Sequence, residues 1–474
     1  MTTPDPSVVA RARLLLVGLF ALAGVAFASW LARIPTVRDL LDLSTADLGL
    51  LLLVGSVGSL LTVTSAGVVL QRLGSRRVLL VSTFVLAAAF VLLGVGPTVG
   101  SRALLAAGIF LNGVAVALGN VAINVESARI ERALGRTVIP QFHAAFSIGA
   151  VVGSGAGALA SAGGVPLVVQ LPLTAAVVVV WRLASLGGVV LPVSAVEAGE
   201  RPVARALSAQ AVVESRTRRG ARRLATALDA WREPRTLLVG VVVLSAAFSE
   251  GAANNWLSLA VVDGFARSES VGGAVLGLFV ASMTVVRLLG TRLIDRFGRV
   301  AVLRASGASS VVGLLLFGFA PSLVLACAGV VLWGVGAALA VPIGIAAASD
   351  DPVRAAGRVA VVSAFASMAS LVAPPVLGLA AQSVGARHAL VLIVAAMVAS
   401  VVVAPAVARE RPDAPRPAAA AVPVLAVGEP AGADDVHAAE LEELVRARHH
   451  HRPSRRAGRR RRRADRPVAR GGAR

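Results

Sequence analysis

Stretches of about twenty apolar residues recur along nearly the whole chain, from Leu14 to Ala408, with short polar gaps between them. Coiled as a helix at about 1.5 Å per residue, each stretch matches the ~30 Å hydrocarbon thickness of a bilayer. Lipid offers no partners to backbone N–H and C=O groups, so such segments are restricted to helices; a barrel would show short alternating strands instead. The spans fall at 14–32, 46–69, 78–96, 103–124, 143–161 and 167–191, then at 236–260, 272–291, 301–320, 323–348, 359–381 and 389–408. No soluble core could bury this much apolar surface: 56% of the 474 residues are hydrophobic and 15% are charged, and mean hydropathy is +0.79. The predicted fold class is an all-α membrane protein with twelve transmembrane helices in two pseudo-symmetric six-helix bundles.

Arg11 and Arg13 ahead of the first stretch resemble the start of a signal peptide. With eleven more spans following, an uncleaved first helix is the expectation. A single cysteine, Cys327, excludes an internal disulfide and a cysteine-based metal cluster. There is no lysine, so all 46 basic residues are arginine. With the N-terminus inside, 22 arginines fall in the inner gaps and only Arg33, Arg38, Arg102, Arg267 and Arg387 in the outer ones. That asymmetry places both termini in the cytoplasm and the chain in the cytoplasmic (inner) membrane. It also accounts for most of the net charge of +20, so no nucleic-acid partner is expected. Trp30 and Trp256 fall near outer ends and Trp231 near an inner one, where aromatic belts form.

The expected organisation is a cytoplasmic N-terminus at 1–13, a bundle at 14–191, a cytoplasmic central loop at 192–235, a second bundle at 236–408 and a tail at 409–474. The tail is rich in Pro, Ala, acidic residues and then arginine; it cannot bury a core and is expected to be disordered, lying against anionic headgroups.

The halves repeat each other. Gln71, Arg72, Leu73 and Gly74 correspond to Asp295, Arg296, Phe297 and Gly298 at an offset of 224, and Trp30 and Leu31 to Trp256 and Leu257 at 226. GVAVAL at 113–118 corresponds to GVGAAL at 334–339, and Ala145 and Phe146 to Ala364 and Phe365. Ordered matches at nearly one offset indicate duplication, and two packed half-bundles with a site between them is how such repeats make a transporter.

On these residues the chain resembles the major facilitator superfamily over roughly 11–408. The carrying motif is the loop of Gly67, Arg72, Gly74, Arg76 and Arg77, with its counterpart of Asp295, Arg296, Gly298 and Arg299. An acid usually precedes the first arginine of that loop; Gln71 stands there in the first copy. A finer resemblance, to MosC-like and fucose-permease-like bacterial membrane proteins, rests on WLARIPTVRD at 30–39, on Asn124 to Glu126 with Gly135, Arg136, Pro140, Phe142 and His143, and on Glu250, Gly251 and Trp256. The resemblance implies alternating access, spans one, four, seven and ten around a central cavity, and gating roles for Gly67, Gln71, Arg72, Gly74, Arg76, Arg287, Asp295, Arg296, Gly298 and Arg299.

A polar group inside a span costs free energy unless it faces protein or a watery cavity, which makes each a site candidate. Asn112, Asn120 and Asn124 fit one broad face of span four; they serve either a solute or interhelical hydrogen bonds. Trp333 occupies the repeat position of Asn112. The candidate solute contacts are Trp30, Asn112, Asn120, Asn254, Asn255, Trp256 and Trp333, a set suited to a neutral, hydroxyl-bearing solute. Glu250 reads as the carboxylate deepest in any span, with Asn254 one turn on. It is the candidate for proton coupling, against a structural acid paired with arginine. His143 reads as a cap or a solute contact, Arg287 as snorkelling or gating, and Arg182 and Arg304 as snorkelling. Asp295 is expected to meet the first turn of span five near Gln141 or Phe142, where the positive helix end favours an anion. Gly149, Gly153 and Gly157 form a small-residue stripe for close helix approach, and Pro374–Pro375 should kink span eleven.

No nucleophile elbow, zinc spacing or P-loop lysine is present; neither enzymatic activity nor a cofactor or metal is expected. The expected function is a secondary active transporter of a small solute with possible proton coupling, acting as a monomer. The alternatives are a membrane sensor or scaffold with an Arg-rich tail, and a drug or metabolite exporter of the same superfamily.

Overall fold

The computed structural model describes residues 6–135, 138–190, 229–351 and 354–409, all within one compact unit, Met1–Glu410. Most of the central loop and nearly all of the tail lie outside the described residues. Every regular element among the described residues is helical. Among the described residues ten helices are long and apolar enough to cross a membrane, but two are far too long to do so once. Thr45–Thr98 has 54 residues, or ~81 Å at 1.5 Å per residue, and Gly357–Val407 has 51. Each breaks at a glycine: Gly74 (φ 77°, ψ 158°) and Gly385 (φ 81°, ψ 152°). Only glycine adopts that conformation without strain. Dividing both helices gives twelve spans among the described residues.

The duplication is visible in the backbone itself. Gly298, 224 residues after Gly74, joins Glu269–Phe297 to Arg299–Phe319 with φ 77° and ψ 157°, the same turn to within a degree. Spans one to six are Pro6–Leu31, the two halves of Thr45–Thr98, Arg102–Leu134, Ile139–Ala162 and Leu167–Val189. Spans seven to twelve run from Pro234–Phe265 to the end of the Gly357–Val407 segment. Span four continues ten residues past its expected end at 124 and span seven five past 260. Hydropathy marks where the lipid ends, whereas a helix continues into water as long as its residues tolerate it.

The glycine stripe of span five lies against span one. A Cβ at Gly149 would stand 1.9 Å from the Ala21 carbonyl oxygen and one at Gly153 2.3 Å from that of Val25; any side chain would force the backbones apart. Pro374 and Pro375, by contrast, do not break span eleven, which stays helical from Ala355 until Gly385. Pro374 lacks the N–H that would bond the Ser370 carbonyl. That oxygen instead accepts from the Ser56 hydroxyl of span two at 2.9 Å, across the two bundles.

Candidate functional site

The contacts joining the two bundles gather at the end opposite the N-terminus. Arg33, after span one, lies with its Nε 3.0 Å from Glu269 Oε2 at the start of span eight; the two side chains are 5% and 10% exposed. Arg33 also donates to Gln170 Oε1 (2.9 Å) and the Val165 carbonyl (3.1 Å), while Glu269 accepts from the Thr36 amide (2.8 Å) and hydroxyl. Arg38 pairs with Asp263 of span seven. Deeper, Ser154 Oγ donates to the Gly273 carbonyl at 2.6 Å. Spans two and eleven touch backbone to backbone at Gly49 and Gly378. Burying these charges is tolerable only because each is paired and further hydrogen-bonded.

Midway along span seven, Glu250 Oε2 accepts from Arg287 Nη2 of span eight at 2.8 Å, both side chains about one-third exposed (27% and 31%). Arg287 Nε donates to the Ala338 carbonyl at 3.2 Å. That acceptor is free because Pro342, four residues on, has no N–H to fill it; span ten is accordingly split into Leu323–Ala337 and Ala340–Ala348. Arg287 therefore neither snorkels nor joins Asp295. It is the partner of Glu250, the pairing with arginine that stood as the alternative reading of that acid. The side chains of Asn112, Asn254 and Asn255, half-buried, and of Asn120, exposed, make no hydrogen bond among the described residues. Asn124 Nδ2 donates to the Asn120 carbonyl.

The three tryptophans sit elsewhere than expected. Trp333 is fully buried, its Nε1 donating to Ser249 Oγ at 2.8 Å and its ring packed against Phe279 and Phe317; it belongs to the interior of the second bundle. Trp30 and Trp256 are 4% and 1% exposed, inside the closed end rather than in a surface belt, and Trp256 Nε1 is buried without a partner. Trp231, partly exposed and stacked on Phe365, does lie at its span end.

At the Arg-rich end, Asp295 is exposed and makes no hydrogen bond or ion pair among the described residues. The carboxylate at the start of span five is Glu131 of span four, which accepts from the Val138 (2.7 Å) and Ile139 (3.0 Å) amides. Gln141 is taken by Arg13. In the second bundle Arg299 (2.7 Å) and Arg235 (3.0 Å) both pair with Asp350, and Arg296 lies over the Phe297 ring. In the first bundle Gln71, Arg72 and Arg76 are exposed and have no partner among the described residues, and a Cβ at Gly67 would meet nothing of them within 4 Å. Arg182 does not snorkel: it is 7% exposed and donates to Ser82 Oγ at 3.3 Å. Arg304 is exposed.

Residues 239–452 match the family model of the Major Facilitator Superfamily. A transporter of Sinorhizobium fredii, y4wD, is 31% identical over 371 residues, covering 78% of this chain and 90% of its own length. The chain belongs to the major facilitator superfamily. Membrane protein MosC of Rhizobium meliloti is 27% identical over 377 residues, covering 79% and 85%. Among solved folds of the superfamily, the nucleoside transporter NupG superposes with a TM-score of 0.63 at 16% identity (84% of this chain, 98% of that one). FucP in its outward conformation gives 0.54 at 15% (84% and 99%). Membership makes the protein a multi-pass secondary transporter and not an enzyme.

Glu126 figured in the sequence only as part of the resemblance and not as a site residue. It lies on the extended part of span four, fully buried, paired with Arg129 at 2.7 Å. The i,i+3 spacing of Glu126 and Arg129 was the readable signal; ending the span at 124 hid it. Pro342 was missed, though a proline inside an apolar span always frees a carbonyl for some other donor.

Proposed function

We propose that the protein moves a small, neutral, hydroxyl-bearing solute across the cytoplasmic membrane by alternating access, and that the conformer described is open to the cytoplasm. The arginine bias of the inner gaps supports cytoplasmic termini. The bundles are joined at the opposite end, while the Glu250–Arg287 pair stays partly exposed. That pair carries the reading. It has no net charge, so an ionic solute would leave a charge unbalanced in a low-dielectric site, whereas a hydroxyl can both donate to Glu250 and accept from Arg287. The free amides of Asn112, Asn120, Asn254 and Asn255 add donors and acceptors. Trp30, Trp256 and Trp333 shape the walls from behind.

Glu250 carries the proton if transport is coupled, because protonating it breaks its ion pair and releases Arg287. Asp295, Gln71, Arg72, Arg76 and Arg296, unpaired by carboxylates here, are contacts of the conformer closed at the Arg-rich end, with Gly67, Gly74 and Gly298 allowing close approach. A thermal-shift screen of neutral sugars and cyclitols supplies the solute, since binding stabilises by RT ln(1 + [L]/Kd). In proteoliposomes Glu250→Gln should then keep solute exchange and lose pH-driven accumulation. Accumulation at the wild-type level in that variant refutes coupling through Glu250, and stabilisation by organic acids alone refutes a neutral solute.

A further inference from the structure

Spans five and eight form one of the two seams between the bundles, and they run antiparallel. Ser154 Oγ bonds the Gly273 carbonyl; a Cβ at Gly273 would lie 3.2 Å from that of Ala158, and one at Gly277 3.6 Å from that of Ser154. The seam thus pairs 158 with 273 and 154 with 277. Carried toward the Arg-rich end, the same register sets His143 opposite Leu288, next to Arg287. At about 100° per residue, His143 lies ~20° from Ser154 and Leu288 ~20° from Gly277 around their helices, so both still face the seam. Yet Leu288 is 60% exposed and His143 is exposed: here the seam has opened.

We propose that His143 is the residue through which cytoplasmic pH controls closure of this mouth, by meeting Arg287 when the seam zips shut. The inference rests on the alternating-access reading. Arg287 spends Nε on Ala338 and Nη2 on Glu250, leaving Nη1 for a further acceptor. A neutral imidazole nitrogen is such an acceptor, and closure completes the guanidinium's hydrogen bonds. A protonated imidazole has no lone pair to offer and brings a second positive charge against Arg287, so closure must wait until the proton leaves through the open mouth. The other groups facing His143 are committed elsewhere. From span one come Phe20, whose ring stands edge-on at 5.5 Å, and Arg13, bound to Gln141. From span four, Glu131 caps the start of span five. From span seven, Glu250 acts through Arg287.

The sign follows from linkage. The closed mouth holds His143 less readily protonated than the open one, so raising the pH favours closure, by at most about tenfold in the open-to-closed ratio per pH unit for one proton. The test is a distance distribution between spin labels at Arg77 and Ala301, the exposed starts of spans three and nine. It is recorded from pH 5 to 8 on the full chain in a Cys327→Ser background. The short-distance population should grow with pH in the wild type, lose its pH dependence in His143→Gln, and stay small throughout in His143→Arg. Where the glutamine variant folds poorly, His143→Asn serves the same purpose. Two populations in a pH-independent ratio, or a pH response that survives in His143→Gln, overturn the role of His143 while alternating access stands. A single population at every pH in the wild type overturns both.

Discussion

Closure at the end away from the N-terminus depends on two glycines touching across the bundles, and one methyl group should undo it. A Cβ at Gly378 of span eleven would lie 2.6 Å from the Thr45 carbonyl oxygen, 3.1 Å from Gly49 Cα and 3.3 Å from Trp256 Cη2. Two of these three neighbours are backbone atoms, which cannot rotate away, so Gly378→Ala must push spans two and eleven apart. Overpacking of this kind costs about 1–3 kcal/mol, and because the clashes with Thr45 and Gly49 of the other bundle exist only in the closed arrangement, their cost falls on that conformer. The ratio of closed to open at this end should fall roughly 5- to 150-fold. Replacing glycine by alanine in a helix also stabilises it by ~1 kcal/mol, but in both conformers alike. Gly155→Ala isolates that effect, since a Cβ there would meet nothing within 4 Å. Spin labels at Leu40 and Arg267, exposed on opposite bundles at this end, report the separation. A longer-distance population should appear in Gly378→Ala and be absent from Gly155→Ala. Identical distributions in the two variants would refute the claim that this glycine contact sets closure.

Two further outcomes follow from charges outside the central site. Arg33 and Glu269 are nearly buried, and removing one partner of a buried pair costs about 3–5 kcal/mol; Glu269→Gln should lengthen the same Leu40–Arg267 distances, while Arg33→Met/Glu269→Leu should do so by less than the sum of the single changes. Strict additivity would show that the pair is not a latch. Ahead of span seven, burial pushes the Glu233 carboxyl up, but hydrogen bonds from Arg358 and Thr236 and the charges of Arg358 and Arg354 outweigh it and hold it below its ordinary value of 4.5. Its contribution is therefore complete above pH 4.5 and lost as the pH falls through the lowered value. Thermal midpoints of wild type and Glu233→Gln should differ at pH 7 and converge in acid; curves that stay parallel down to pH 3 would contradict this.

The sequence by itself determined the helices, the number of crossings and the duplication, because these are properties of single segments. An apolar run of bilayer length has one structural option in lipid, and a glycine is needed wherever φ is near 77°, as at Gly74 and Gly298. It also marked Glu250, Arg287 and the asparagines as unusual, since polarity inside a span is visible one residue at a time. Tertiary structure decided what each of these touches. Helix rotation and tilt, set by packing such as Gly149 on Ala21, decided that the arginine paired with Glu250 is Arg287, and turned Trp333 into the second bundle. The same packing put Glu131, not Asp295, at the start of span five. Pro374 and Pro342 show the division most clearly: their sequence positions fix which carbonyls lose a partner, but only the neighbouring helices decide that Ser56 and Arg287 fill them. A one-dimensional pattern records which groups need a partner; which partner arrives depends on contacts between residues hundreds of positions apart.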